Sequence, residues 1–424
     1  MKSFFKSNSF ASLTSGVLTT LVLLPLCTGC ADFDRQDRIE DTRILAVRTE
    51  PAEVKFSPLY SLLPPSERPP GFRLPSPGPM EVTVYAYDPR GGQITTTTQM
   101  CPPNAPDRSC LNDYEPEDFL AQYSDEQREV LDTLYVPSKT DQTLSFEEVA
   151  LDPTGRLKNL GFSFDINDVV IDSIVQGNLS VFPVYPKIVV EVQNQLPLID
   201  PDNPKVFEGA SKERAYKRIP VSMDLADPSL PEDIRAALFG FLGFPACENT
   251  IEEDGIVDGD AADCLYALQA NKNPDLLGFT LLQNRKEPVY HPNDPQQPII
   301  TTDGPLTLGT TSVISASRSD VIHLDPVFSA GVSEPYQVFG FDLETESLTL
   351  ANRNEDIVVS WYTTGGDVSR VTSTVLLHLT MGIDWVLPVK EDQNFEAGDR
   401  VTLVAVARDQ RGGVSVAQII VELR

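Results

Sequence analysis

Six cysteines and three histidines are the side chains best suited to chemistry in this 424-residue sequence. A cysteine can be a nucleophile, a metal ligand, an acylation site or half of a disulfide. A histidine can be a general base or a ligand. His291, His323 and His378 lie far apart and share no ligand spacing. The sequence has no His-Glu-x-x-His, no Gly-x-Ser-x-Gly and no phosphate-binding glycine loop. These features point to a protein that is not an enzyme and needs no cofactor. Aspartates offer one more chemistry. The run Glu252-Glu253-Asp254-Gly255-Ile256-Val257-Asp258-Gly259-Asp260 could cradle calcium, but it lacks the alternating Asp positions and terminal Glu of an EF-hand loop. A solvated acidic loop is the better reading. Asp200, Asp202, Asp254, Asp258 and Asp260 are the candidates if the protein is a calcium-dependent adhesive module.

The N-terminus reads as a secretion signal. Lys2 and Lys6 precede an apolar stretch from Ala11 to Leu26, which is too short and too weakly flanked for a stable membrane span. It ends in Leu26-Cys27-Thr28-Gly29-Cys30-Ala31. Small residues directly before a cysteine resemble the lipobox of bacterial lipoproteins. That resemblance implies cleavage after Gly29 and acylation of Cys30, and several acyl chains give stable anchoring where one is marginal. Cys27 stands where the motif usually has Leu. Ala31 after the cysteine, in place of the Asp that retains enteric lipoproteins in the inner membrane, favours the outer membrane. The alternative is an ordinary secretory signal cut nearby.

Cysteine arithmetic is consistent with an anchor. Removing the signal deletes Cys27 and leaves Cys30, Cys101, Cys110, Cys247 and Cys264, an awkward odd number for an exported protein. Lipid on Cys30 leaves four. The local pairs, Cys101–Cys110 and Cys247–Cys264, would each close a short loop in an oxidising compartment. Zinc is a weaker reading, because neither pair has Cys-x-x-Cys spacing and no histidine lies near.

Composition sets the partners. With 62 acidic and 33 basic side chains the formal charge is −29. A phosphate backbone would be repelled, and the densest basic cluster, Lys212 to Arg218, itself contains Glu213, so nucleic acid is excluded. The expected partners are the membrane, through the lipid anchor, and a protein of the envelope. A hydrophobic content of 41% supports globular domains.

The elements that would carry these residues are mainly strands. Ile44 to Glu50 is β-prone and stops at Pro51, and the segment 58–79 holds eight prolines, which makes it a loop. Glu81 to Tyr87 alternates, Asp88-Pro89-Arg90-Gly91-Gly92 turns, and Gln93 to Gln99 returns. Val401 to Val406, Asp409-Gln410-Arg411-Gly412-Gly413 and Val414 to Leu423 repeat the pattern. Asp-x-Arg-Gly-Gly between β-prone runs is a hairpin signal, and its recurrence hints at two related β-domains. Further strands are expected at Val169–Val175, Leu179–Phe182 and Ile188–Val192, with Tyr216 to Val221 closing the first domain. Helices are expected at Pro116–Leu134 and Pro231–Phe241. Trp361, within Ile357 to Tyr362, fits a sandwich core.

Several ordered segments together are similar to a family of predicted myxobacterial envelope lipoproteins with immunoglobulin-like domains. They are the lipobox, Arg43 to Pro51, Tyr87 to Gly92, Met100-Cys101-Pro102, Ala215 to Ile219, Asn273-Pro274, Val359 to Tyr362 and Arg408 to Gly413. The family has no established activity, so the resemblance implies architecture and location only. The expected organisation is a lipoprotein signal peptide (1–29) and a polar tether (30–41). A first immunoglobulin-like β-sandwich with a Pro-rich loop and a helix (42–223) follows. A helical, acidic, disulfide-bearing insert (224–272) leads to a second β-sandwich (273–424). The expected function is a lipid-anchored, non-enzymatic envelope protein working in adhesion, scaffolding or partner binding. The alternatives are a subunit of an envelope enzyme or transport complex, or the calcium-dependent module.

Overall fold

A computed structural model describes residues 37–39, 41–56, 79–88, 94–101, 147–150, 157–165, 185, 187–194, 212–225, 227, 230–244, 270–285, 290–291, 294–298, 306–342, 347–374, 381–389 and 395–424. The chain is mainly β, with several sheets and one short helix among the described residues. Its first half contains β1 (Arg43–Glu50), β2 (Val54–Phe56), β3 (Pro79–Tyr87), β4 (Ile94–Cys101), β5 (Glu147–Ala150), β6 (Leu157–Asp165), β7 (Lys187–Asn194), β8 (Lys212–Arg218), β9 (Val221–Met223) and α1 (Glu232–Leu242). Its second half contains β10 (Leu276–Arg285), β11 (Tyr290–His291), β12 (Asp294–Pro298), β13 (Leu306–Leu308), β14 (Thr311–Ala316), β15 (Val321–Phe328), β16 (Pro335–Asp342) and β17 (Ser347–Asn354). The remaining strands are β18 (Val358–Thr363), β19 (Asp367–Val368), β20 (Thr372–Thr374), β21 (Ile383–Val386), β22 (Arg400–Arg408) and β23 (Val414–Leu423).

Four sheets are layered, with strand orders β4-β7-β8, β1-β3-β6-β5, β14-β23-β22-β18-β20 and β13-β10-β15-β21-β19. Strand alternation sends side chains to both faces of the two middle sheets. In β3, Met80, Val82, Val84 and Ala86 join Ile188, Val190 and Val192 of the first sheet in one core. Tyr87 of the same strand joins Val404 and Val406 of β22 in a second core. On the other face of β22, Val401, Leu403, Ala405 and Ala407 meet Phe279, Ile322, Leu324 and Trp385 of the fourth sheet. Burial on both faces explains why β22 and β23 are nearly continuous apolar runs rather than alternating ones. A bulge between Ile44 and Ala46 shifts the register of β1, and Leu45 and Ala46 both enter the second core.

The two Asp-x-Arg-Gly-Gly segments do different things. β22 and β23 pair antiparallel around Asp409–Gly413, as a hairpin should. β3 and β4 do not pair at all. β3 lies between β1 and β6, and β4 pairs with β7 in another sheet. The expected first hairpin is therefore a crossing between layers. Asp88 is wholly buried at its start, accepting hydrogen bonds from Thr42 Oγ1 at 3.3 Å and Asn194 Nδ2 at 2.6 Å.

The expected helix at Pro231–Phe241 is α1. Glu232 and Asp233 lie in its first turn, where they favour the positive helix end, and Gly243 in the left-handed region caps it. Leu242 and Phe239 reach the first core. The expected helix at 116–134 and strands at 169–175 and 179–182 lie outside the described residues. Trp361 is fully buried, 6.0 Å from Phe279 across the sheets, and its indole N–H donates to Ser373 Oγ at 2.9 Å.

The two halves interlock. The β16–β17 hairpin sends Phe339 and Leu350 against the core of the first half, where Phe339 meets Phe244 at 6.3 Å. Residues 37–39, within the expected tether, belong to the folded body. The Ile39 N–H donates to Thr363 O at 2.9 Å, and the Thr363 N–H donates to Asp37 O at 2.7 Å.

Candidate functional site

A buried polar cluster lies where β2 and β9 meet the β22–β23 turn. Glu53, just before β2, and Lys55 of β2 enter it, and β9 brings Ser222, paired in parallel at Val54↔Val221 and Lys55↔Ser222. The turn brings Asp409 and Arg411. Gly412, at φ +105°, makes the sharp reversal possible. Gly413 is required by space, since a Cβ there would lie 2.0 Å from Asp409 Oδ2 and 2.8 Å from Lys272 O.

Glu53, 5% exposed, is the hub. Its carboxylate accepts from Arg411 Nη2, from Ser222 Oγ, from the Asn271 N–H at 2.7 Å and from Lys55 Nζ at 3.0 Å. Burial alone would raise its pKa, but the charges of Lys55 and Arg411 outweigh that and hold it below the usual carboxylate value. Arg411 also donates through Nη1 to Glu355 Oε1 at 3.3 Å and sits over the Tyr336 ring at 5.4 Å. Glu355 behaves differently. Burial first, and then the charge of Asp409, raise it to about 7, against the opposing pull of Arg411. Lys217 donates to Gly412 O, and burial lowers it to about 8.

Further hydrogen bonds complete the joint. Asn273 donates to Thr49 O at 2.8 Å and to Glu50 Oε2 at 2.9 Å, and it accepts from the Val414 N–H at 2.8 Å. Arg408 donates to Leu45 O at 2.9 Å and to Ser360 Oγ at 3.0 Å. The bond from Arg408 to Leu45 O ties the second half to the first, and Asn273 bridges Thr49 and Glu50 of the first half to Val414 of the second. A cavity of about 360 Å³ opens beside the cluster, lined by Lys55, Tyr185, Met223, Tyr336, Phe339 and Arg411 among others. Ser222 and Lys55 are 2.7 Å apart, a spacing that can activate a serine. Here Lys55 is also ion-paired to Glu53 and acts as a donor to Ser222, so the pair is arranged to bind Glu53 rather than to remove a proton.

His323 forms a second cluster on the fourth sheet. Its Nδ1 lies 2.8 Å from Asp384 Oδ1 and its Nε2 lies 3.3 Å from Asp325 Oδ2. Burial lowers its pKa, but the two carboxylates overcome this and raise it to about 9. A Cβ on Gly382 would come within 1.9 Å of Asp325 Oδ1.

The residues singled out from sequence are mostly elsewhere. Cys30, Cys110, Cys247 and Cys264 lie outside the described residues, as do His378 and Asp200, Asp202, Asp254, Asp258 and Asp260. Cys101 ends β4, and His291 lies in β11. His323 is brought to two aspartates that are near it in space and, for Asp384, distant in sequence. Glu53, Asn271 and Glu355 carried no sequence signal, and Lys217 stood out only within the basic cluster Lys212 to Arg218 and the segment Ala215 to Ile219. Arg411 was visible only as part of a turn.

No family model and no curated protein matches the chain. Among solved structures it is similar to the Yersinia pseudotuberculosis adhesin InvE, at 7% identity and a TM-score of 0.14. The match covers 89% of this chain and 58% of the adhesin chain. A likeness at that score carries no argument about fold or function. Among the described residues no helix is long and apolar enough to cross a membrane, and no group of three or more metal-ligating side chains occurs.

Proposed function

We propose that the chain is a lipid-anchored, non-enzymatic protein of the cell envelope, on the outer membrane, that works as an adhesion, scaffolding or partner-binding module. The joint around Glu53 is the observation that carries this reading. Its charged groups saturate one another and couple the two halves, which suits a stiff body that presents surfaces. The sequence supports the anchor through Thr28-Gly29-Cys30 and through the four cysteines left to pair as Cys101–Cys110 and Cys247–Cys264. The ordered motifs shared with the myxobacterial envelope lipoproteins point the same way. We read the two five-stranded sheets around Trp361 as an immunoglobulin-like sandwich, which the parallel pairing of β14 with β23 at the sheet edge favours.

Metabolic labelling with an alkyne fatty acid tests the anchor. Wild type should take up label and Cys30→Ala should not; equal labelling of both removes the anchor. Protease treatment of intact cells then separates the roles. Digestion of the body on intact cells favours adhesion, and digestion only after the outer membrane is broken favours periplasmic scaffolding.

A further inference from the structure

The edges of the third and fourth sheets are made by one stretch of chain. β13 closes the edge beside β10, the chain crosses at Gly309-Thr310, and β14 closes the other edge beside β23. From Gly304 to Ser317 this stretch has no charged residue, although 22% of the sequence is charged. Natural edge strands are guarded by charges, prolines, bulges or shortness. β14 has none of these over its six residues, and among the described residues no strand pairs with its outer side. Leu306 and Val313 on this stretch are 54% and 51% exposed. The other edges differ. β1, β5 and β8 carry charges, β19 and β20 are two or three residues long, and β4 is uncharged but presents threonines.

An open ladder edge selects an extended strand as its partner, because only a strand satisfies its backbone donors and acceptors. The side chains select further. Thr311-Ser312-Val313-Ile314-Ser315-Ala316 offers small hydroxyls and β-branched apolar groups. Run antiparallel against itself, this sequence places serine and apolar groups opposite one another and brings no like charges together. Two chains of charge −29 repel, so their approach is least opposed along this stretch, which has no charged residue of its own and beside which the Arg424 guanidinium donates to Ser315 Oγ. We propose that β14 pairs antiparallel with β14 of a second copy of this chain, joining two sheets into one across a two-fold axis. The inference deepens the partner-binding reading by naming the partner, and it does not depend on the lipid anchor.

The test uses the full chain in cells, with single cysteines introduced at two exposed edges. Val313→Cys should give a reducible band of twice the mass after mild oxidation, and Thr97→Cys on β4 should not. Failure of Val313→Cys to crosslink, equal crosslinking of both, or a band of another mass would overturn the pairing. In sedimentation of the purified chain, Val313→Lys should weaken dimerisation at least tenfold with an unchanged melting temperature, and raising salt should strengthen the wild-type dimer. An unchanged dimer in Val313→Lys is an adverse result. Retained acylation with no crosslink removes the pairing alone; crosslinking without acylation removes the anchor alone.

Discussion

Arg411 and Glu53 stand 358 residues apart in sequence and form an ion pair in which both side chains are largely buried. The same guanidinium reaches Glu355, whose side chain is 1% exposed. One cation thus serves two carboxylates from two parts of the chain. Removing it leaves Glu53 with Lys55 as counter-charge and takes from Glu355 the cation that opposes its raised pKa, in a site that water barely reaches.

Arg411→Ala should therefore destabilise the protein by about 1–3 kcal/mol, the usual cost of removing one partner from buried hydrogen-bonded groups, because Glu53 keeps Lys55. Arg411→Lys should recover only part of this, because a single ammonium cannot span both carboxylates in the plane that the guanidinium uses. Urea unfolding followed by Trp fluorescence measures both. A loss under about 1 kcal/mol for Arg411→Ala would show that the joint does not depend on the pair.

Glu355 makes the joint sensitive to pH. Its folded value of about 7 lies above the ordinary 4.5, so folding favours the protonated acid. That contribution is fully present below about pH 4.5 and is lost as pH rises through 7. Glu355→Gln should flatten the dependence of melting temperature on pH over this window. It should leave the protein more stable than wild type at pH 8, where the wild-type carboxylate is ionised beside Asp409. A parallel pair of melting curves across pH 5 to 8 would contradict the assignment.

Gly413→Ala should cost about 1–3 kcal/mol, since the new methyl would overlap a carboxylate oxygen of Asp409 and press on Lys272 O. Asp409 holds the turn by accepting from the Gly413 N–H at 2.7 Å and from the Arg411 N–H at 2.8 Å. Displacing it should also disturb Asn271, whose Nδ2 donates to Asp409 at 3.2 Å. Thermal unfolding reads the loss, and a wild-type melting temperature would show that the turn relaxes freely.

The strands were legible because local chemistry decides them. Pro51 ends β1, β-branched runs make β22 and β23, and Asp409 to Gly413 turns between them. The layering was not legible. Asp88-Pro89-Arg90-Gly91-Gly92 carries the same local signal as the later turn, yet β3 pairs with β1 and β6 while β4 pairs with β7 in another sheet. The joint was hidden for a related reason. Glu53, Ser222, Asn271 and Arg411 are ordinary residues until four distant segments converge, and no spacing within a single sequence encodes that meeting. Trp361 lies in a β-prone run that marks it as a core residue, whereas Trp385, equally buried and donating to Gly365 O at 3.0 Å, lies in a strand of only four residues, too short for a periodic signal.

His323 lies on the side of β15 away from the Trp361 core, held between Asp384 on the neighbouring strand and Asp325 two residues on. Burial opposes its charge, and the two carboxylates more than compensate, giving about 9 against an ordinary 6.5. The charged imidazole therefore stabilises the fold fully below about pH 6.5, and this contribution disappears as pH rises through 9. Its size is on the order of 3 kcal/mol, from the distance between the two values. His323→Gln keeps a donor near Asp384 but cannot titrate. It should lower stability at pH 6 and abolish the decline between pH 6.5 and 9 that wild type shows. Lys217, lowered to about 8, adds stability only as pH rises from there towards 10.5, so it works against the His323 decline at the upper end. Urea midpoints for both proteins at pH 6, 7.5 and 9 separate the contributions. A decline of the same size in His323→Gln would place the titrating group elsewhere.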